Sequence, residues 1–281
     1  MTELRLLTWN SFGAAQDPLS FLRWRGVPDA HRFEHPQVLE TLARADVVCM
    51  QEIFLSEAEL FFDALAHDHK LRDSNETSLR PLSFSGSGLG VASRLDIASH
   101  ARRPFSPPHV HAERFARKGL LHARVRVGDA LVDVVNTHLQ SGRGRAARAI
   151  RKRQLGELRR LVDDVGRAGV PMIVCGDLNI DGLAKERRAE YVELSRALPE
   201  FVDLGAAADH VTFDTEHNAL ARRHYRWEPP QRLDYVFLAD PTGALEVVGV
   251  SRVFHVALES AGRSRTFASD HYALEARFHL R

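Results

Sequence analysis

Apolar residues along this 281-residue chain fall into two kinds of run. Short runs rich in Val, Ile and Leu, bounded by turn-forming residues, read as β-strands; stretches with apolar residues at helical spacing read as helices. The strand-like runs are Leu4 to Asn10, Val47 to Gln51, Gly88 to Ser93, Leu120 to Val127, Leu131 to His138, Met172 to Gly176, Leu233 to Ala239 and Tyr272 to His279. Pro36 to Ala45 reads as a helix with Val38, Leu39 and Leu42 on one face. Arg151 to Val165 is a second, striped by Leu155, Leu158, Leu161, Val162 and Val165, and Glu186 to Leu198 is a third, ended by Pro199. Alternating strands and helices predict an α/β (α+β) chain whose sheets are covered by helices. Residues 11–35 and 206–231 read as long loops of the kind that shape a pocket on a rigid scaffold.

Composition narrows this picture without redirecting it. With 44% hydrophobic and 27% charged residues the chain can bury a sizeable core. No repeat or Gly/Ser-rich linker divides it, so residues 1–281 read as one catalytic domain. No apolar stretch reaches the length of a membrane-spanning helix. A net charge of +1 neither demands nor excludes a polyanionic partner. Met1-Thr2-Glu3 leads directly into the first strand with no room for a secretion leader, which makes a cytoplasmic location the expectation. Cys49 and Cys175 sit inside apolar runs and read as packed thiols, neither bridged nor nucleophilic. Trp9, Trp24 and Trp227 are assigned to core packing rather than to an apolar substrate.

Chemistry enters at the strand ends. Six apolar segments are punctuated by polar residues that a half-buried strand does not need: Asn10 in LLTWN, Glu52 in VVCMQE, His138 in VVNTHLQ, Asp177 and Asn179 in IVCGDLN, Asp234 in RLDYVF, and Asp270 with His271 in SDH. Six such endings in one chain point to a shared pocket. Glu52 with Asn10 offers a carboxylate and an amide oxygen, which suits a hard cation such as Mg²⁺ completed by substrate phosphate oxygens. Cysteine is absent from the set and the histidines lack zinc spacing. Asp177 and Asn179, two apart, would face one side of an extended segment. His138 and His271 supply imidazoles for proton transfer, and Asp234 is suited to hold one of them in its working tautomer. Hydrolysis of a phosphodiester is the reaction this set fits.

The order N, QE, THL, GDxN, RxDY, SDH resembles the endonuclease/exonuclease/phosphatase superfamily over residues 10 to 271. The resemblance implies a four-layer α/β/β/α sandwich, two packed mixed β-sheets flanked by helices. It also implies roles: Glu52, helped by Asn10, would hold the divalent metal (Mg²⁺, with Mn²⁺ or Co²⁺ as substitutes), and Asp270 would support the metal or His271. His271 would be the base on the attacking water, oriented by Asp234; Asp177 would position the nucleophile or act as base; Asn179 and His138 would stabilise charge on phosphorus.

QEIF, GLGVASRLD, RKGLLHARV, THLQ, TFDTEHN (with Thr212, Asp214 and Asn218) and SDHYAL are similar to the neutral, magnesium-dependent sphingomyelinases. That similarity implies release of a phosphocholine headgroup, a phospholipid substrate favoured over nucleic acid, and transient contact with a membrane surface. In that branch an aromatic hairpin precedes SDH; here residues 250–268 carry Phe254 and Phe267 but no Trp. Two other classes remain. A nuclease would use the basic run Arg143, Arg145, Arg148, Arg151, Lys152, Arg153, Arg159 and Arg160 on a phosphate backbone, although apolar and acidic neighbours make it read as a solvated helix face. A binding module would keep the fold without turnover.

Overall fold

The computed structural model describes residues 2–14, 27, 29–73, 86–110, 113–114, 116–166, 168–184, 188–208, 210–259 and 266–281. Among them, one six-stranded sheet holds β1 (Glu3–Gly13), β2 (Val47–Ile53), β3 (His69–Arg72), β4 (Gly90–Ser93), β11 (Leu245–Val253) and β12 (Ala273–Leu280), in the order β11-β12-β1-β2-β4-β3. A second holds β5 (Ile97–Pro104), β6 (Gly119–Val127), β7 (Ala130–His138), β8 (Met172–Asp177), β9 (Val202–Asp203) and β10 (Asp234–Ala239), in the order β5-β6-β7-β8-β10-β9. Both are mixed: a parallel pair, β1 with β2 and β7 with β8, runs at each centre and the neighbours are antiparallel.

Side-chain alternation along the strands builds the layers. Leu4 and Leu6 of β1, Val47 and Cys49 of β2, Val132 and Val134 of β7, Ile173 and Cys175 of β8, and Val236 and Leu238 of β10 form one buried core between the sheets. The alternate positions face outward. Leu7, Trp9, Val48 and Met50 pack under α1 (Pro36–Arg44) and α2 (Ser56–Asp63). Val135, Val174 and Phe237 pack under α3 (Arg145–Gly166) and α4 (Arg188–Ala197) through Leu155, Leu158, Leu161 and Leu194. The result is the α/β/β/α sandwich. Each fully buried Leu, Val or Ile contributes about 1.5–3 kcal/mol by leaving water, so the central strands are anchored on both faces.

The expected strands are present with ends moved by a few residues, and β2 runs on through Glu52 to Ile53. Strands β3, β5, β9 and β11 were not anticipated. β5 reads IASHARRP, and only Ile97 and Ala101 of its eight positions are less than exposed, so it carries no apolar signal. In α1 the buried residues are Val38 and Leu42 while Leu39 is exposed, because Leu39 lies a full helical step off the line joining the other two. α3 begins at Arg145, six residues before the expected start: Ala147 and Ile150 extend the stripe, and arginines hide the pattern. Of the third expected helix, residue 186 falls outside the described residues, and α4 itself spans Arg188–Ala197. The expected loop at 206–231 contains α5 (Ala219–Tyr225), and most of the one at 11–35 lies outside the described residues.

Candidate active site

The inward-facing stripe of each central strand turns polar at the same end of the sandwich. In β1 it runs Leu4, Leu6, Thr8, Asn10; in β7, Val132, Val134, Asn136, His138; in β8, Ile173, Cys175, Asp177; and in β10, read backwards, Leu238, Val236, Asp234. Register does the rest. Asp177 is paired across the ladder with His138 on one side and Asp234 on the other. The residues that close the inter-sheet core therefore meet as a polar cap.

Asp177 is the hub. Its Oδ2 lies 3.0 Å from Asn10 Nδ2, 3.3 Å from His138 Nε2 and 3.9 Å from His271 Nε2. The same Asn10 amide donates to Glu52 Oε1 at 3.2 Å on the neighbouring strand, so one side chain joins a carboxylate of each sheet. Alternation would place Glu52 with Val48 and Met50 under the helices; a left-handed backbone at Glu52 (φ 60°) breaks it and delivers the carboxylate to the site. His271 Nδ1 pairs with Asp234 Oδ2 at 2.8 Å. Asn179 does not sit on an extended continuation of β8. It adopts φ 50°, donates its backbone N–H to Asp177 Oδ1 (2.9 Å) and points its Nδ2 at the Leu139 carbonyl (3.1 Å), a local Asp-turn that competes with the strand. Asn179 and Glu52 are the site members that keep intermediate exposure, so they mark its mouth.

Electrostatics divide the site in two. Burial, partly opposed by His271 and reinforced by Asp234, pushes Asp177 up to about 6. Burial, opposed by His271 and reinforced by Glu52, pushes Asp270 up to about 7, and Glu52 is raised chiefly by burial. Burial alone would lower His271, but the carboxylates of Asp234, Asp177 and Asp270 outweigh it and raise the imidazole well above its ordinary value. His138 goes the other way, held well below by burial and by the charges of Lys118 and His271. Crowded carboxylates whose ionisation is resisted by burial and by one another suit a site that binds a cation. Glu52 and Asp270 offer hard oxygens of the kind a divalent metal such as Mg²⁺ takes, whereas the Asn10 oxygen accepts from Phe12 N at 3.0 Å and its amide nitrogen faces the carboxylates, so that side chain would have to turn to add its oxygen. Ligand atoms of Asp177, Asp234 and His271 also lie within 4.8 Å of one another. There the imidazole Nδ1 is engaged by Asp234, which suits proton transfer better than ligation.

Four features had no assigned role in the sequence. Lys118, in RKGLLHARV, is buried with its Nζ 2.9 Å from His138 Nε2 and 2.8 Å from the Leu139 carbonyl, and it pairs with Glu113. Arg32 is fully buried and donates to the carbonyls of Ser11 (2.9 Å), Phe12 (2.8 Å) and Ala268 (3.2 Å), pinning the end of β1 to the segment before Ser269. Beneath the site, Gln51 Nε2 donates to Asn136 Oδ1 (2.8 Å) and Asn136 Nδ2 to the Met50 and Gly90 carbonyls, which locks one sheet to the other. Tyr225, at the end of α5, feels Asp270, Glu52 and Asp177, which join burial in raising its phenol. Only Lys118 and Gln51 stand inside recognisable motifs; Arg32 and Tyr225 carry no local signal.

The TFDTEHN segment is scaffolding for the dyad. Thr212 Oγ1 accepts from the backbone N–H groups of Leu233 (3.0 Å) and Asp234 (3.1 Å), and the Thr212 carbonyl accepts from Tyr272 N (2.7 Å). Asn218 caps α5 and donates Nδ2 to the Ser269 carbonyl at 2.8 Å. Cys49 and Cys175 are free and buried. Six of the eight cations of the basic run are paired: Arg143 with Glu228, Arg148 and Arg151 with Glu190, Lys152 with Glu193, Arg153 with Glu157, and Arg159 with Asp163 and Glu200. That run is a neutralised helix face. Trp9 is packed in the core, Trp227 is exposed, which corrects its assignment to packing, and Trp24 lies outside the described residues.

Known proteins share this framework. The chain is 22% identical over 252 residues to a sphingomyelinase C of Leptospira interrogans, covering 84% of this chain and 44% of that protein. It is 23% identical over 217 residues to a sphingomyelinase C of Bacillus cereus, covering 68% and 63%. The chain thus spans about half the length of these curated relatives. Among solved structures, that of SmcL superposes with a TM-score of 0.80 at 18% identity over 98% of both chains. A Staphylococcus aureus beta toxin with bound magnesium ions superposes at 0.74 with 18% identity, over 98% of this chain and 99% of that one. The sequence profile of the Endonuclease/Exonuclease/phosphatase family matches residues 7–271, which include every site residue named above; the chain belongs to that family.

Proposed function

We propose that this protein is a divalent-metal-dependent phosphodiesterase that cleaves the headgroup ester of a phospholipid, in the manner of a sphingomyelinase. One observation carries the reading: the His271–Asp234 pair faces Asp177, and Asp177 shares the Asn10 amide with Glu52, so an acid–base dyad and an oxygen-donor cluster meet at one solvent-accessible mouth. The sphingomyelinase C relatives and the magnesium in a structural neighbour support the substrate class and the metal.

In this reading Glu52 and Asp270, joined by Asn10 once its amide turns, would hold Mg²⁺, with Mn²⁺ or Co²⁺ able to replace it. The ion supplies positive charge against the phosphate oxygens and favours the ionised carboxylates. His271 Nε2 takes the proton of the water that attacks phosphorus, and Asp234 keeps Nδ1 protonated and stabilises the imidazolium that forms. Asp177 positions the water beside His271. His138 and the Asn179 amide face the charge that builds on the phosphoryl oxygens. The bond from phosphorus to the lipid oxygen breaks, that oxygen departs with the electron pair and takes a proton from solvent, and the products are the free lipid alcohol and phosphocholine.

The test is a side-by-side assay with Mg²⁺ on sphingomyelin, a lysophospholipid, and abasic and single-stranded DNA. Metal-dependent release of phosphocholine is expected. Cleavage of DNA alone would replace the lipid reading with a nuclease, and absence of turnover on these and on bis-p-nitrophenyl phosphate would leave a binding module.

A further inference from the structure

The mouth of the site is bordered by α5, and the two ends of that short helix do different things. At its start Asn218 accepts from Leu220 N and Ala221 N and ties the helix to the Ser269 carbonyl, so α5 is fixed to the segment that carries Asp270 and His271. At its end the Tyr225 ring, 38% exposed, lies 5.5 Å from Phe213, which itself lies 5.1 Å from the His271 imidazole. The chain then projects Trp227 outward, 81% exposed, with the Arg226 guanidinium 4.4 Å over its indole. Among the described residues Arg226 has no carboxylate within ion-pair distance, and Arg222 and Arg223 precede it on the same turn of chain.

An indole held out in water under a guanidinium is well suited to a bilayer interface. There the ring enters the headgroup zone and the cation meets lipid phosphate. The other side of the mouth offers no such anchor among the described residues. Phe254 and Phe267 are buried, the first against Trp9 at 5.1 Å and the second against Tyr272 at 6.3 Å. Among the described residues Trp227 is the most exposed aromatic, and it lies two residues past the end of α5 rather than ahead of Ser269.

Resting on the phospholipid reading, we infer that the α5 lip, Tyr225-Arg226-Trp227, is the surface that seats the protein on a phospholipid bilayer with the catalytic mouth facing the headgroups. Charge complementarity names the occupant: Arg222 and Arg226 are placed to meet the phosphates, while Arg223 is held by Asp29 at 2.9 Å, and the indole takes the interface.

The test uses the full chain and vesicles of phosphatidylcholine, phosphatidylserine and sphingomyelin, with bis-p-nitrophenyl phosphate as the soluble substrate. Binding is read by co-sedimentation in a His271→Ala background, so that substrate is not consumed. Trp227→Ala should lower vesicle partitioning and vesicle turnover about tenfold while soluble turnover stays within about twofold, and Trp227→Phe should recover part of the binding. Arg226→Glu should weaken binding most at low salt, since exposed charges are screened within about 10 Å at ordinary ionic strength. Partitioning of Trp227→Ala equal to wild type overturns the docking surface and leaves the proposed reaction standing. Wild-type binding through Trp227 without lipid cleavage sustains the surface and sinks the substrate. Indifference to vesicles, with an oligonucleotide released by Trp227→Ala, overturns the lipid surface in favour of a base-stacking one.

Discussion

Three carboxylates set the protonation of His271 against the burial that opposes it, and Asp234 is the nearest, at 2.8 Å. Asp234→Asn removes that charge and the acceptor that fixes Nδ1–H. The expected result is a kcat loss of about 10²–10⁴-fold with a folded protein, and a His271 pKa that drops; steady-state kinetics on a soluble diester with an NMR titration of the imidazole measure both. Activity within twofold of wild type would remove the dyad from the mechanism. Lys118 acts one step away. Its ammonium stands 2.9 Å from His138 Nε2, the nitrogen that also lies 3.3 Å from Asp177 Oδ2, and it opposes a positive charge on the ring. Lys118→Met should raise the His138 pKa toward its ordinary value, because a positive neighbour that disfavours the imidazolium is gone. An NMR titration of the imidazole should show the rise, and Lys118→Arg should restore part of the shift. Glu52→Gln should weaken the Mg²⁺ titration of activity through loss of ligand charge; an unchanged titration places the metal elsewhere.

At the scale of elements, the β7–β8 pair delivers His138 and Asp177 side by side, and its closeness depends on a glycine. Gly176 has φ 130°, and a Cβ there would stand 2.0 Å from the Thr137 carbonyl oxygen. That atom is backbone and cannot step aside. Gly176→Ala is expected to lower Tm and to cost activity beyond its cost in stability, since the two site residues flank the clash; circular dichroism melts and kinetics on the folded fraction separate the effects. In α3, Leu158 is fully buried against the second sheet and Leu158→Ala should cost about 2–5 kcal/mol in denaturant unfolding with no change in KM. Elements such as β5 and β11 were invisible in the sequence because their exposed faces break the alternation, and only pairing with β6 and β12 makes them strands. Loop composition hid α5 in the same way.

For the whole molecule, the site is an acid-favouring strain on the metal-free fold. Asp177 and Asp270 rise from an ordinary 3.8 to about 6 and about 7, so between those limits the folded chain binds more protons than the unfolded one and stability falls as pH rises. His271, raised in the fold, adds in the same direction: its contribution is present below its unfolded value and is lost as pH climbs through the folded one. His138, held low by burial and by Lys118, pulls the other way, so the clean readout is the metal increment: in calorimetry Mg²⁺ should raise Tm over EDTA more at about pH 7.5 than at about pH 5, because the carboxylates it favours are ionised there. A metal effect that is equal at both pH values would mean that the raised carboxylates do not hold the ion.

The polar strand endings, from Asn10 to His271, and the order of their motifs were legible in the linear chain. A carboxylate or imidazole at the end of an apolar run interrupts a pattern that burial alone would have continued. Apolar periodicity likewise marked the strands that are buried on both faces and the helices that cover them. Tertiary structure decided what depends on distance between remote segments. Ladder register set Asp177 between His138 and Asp234, and backbone inversion at Glu52 brought it to Asn10. Lys118, Arg32 and Tyr225 joined the site only through contacts with residues far away in the chain, and Trp227, alike in composition to buried Trp9, was turned outward. Periodicity records which face of an element is buried; it does not record which buried faces meet.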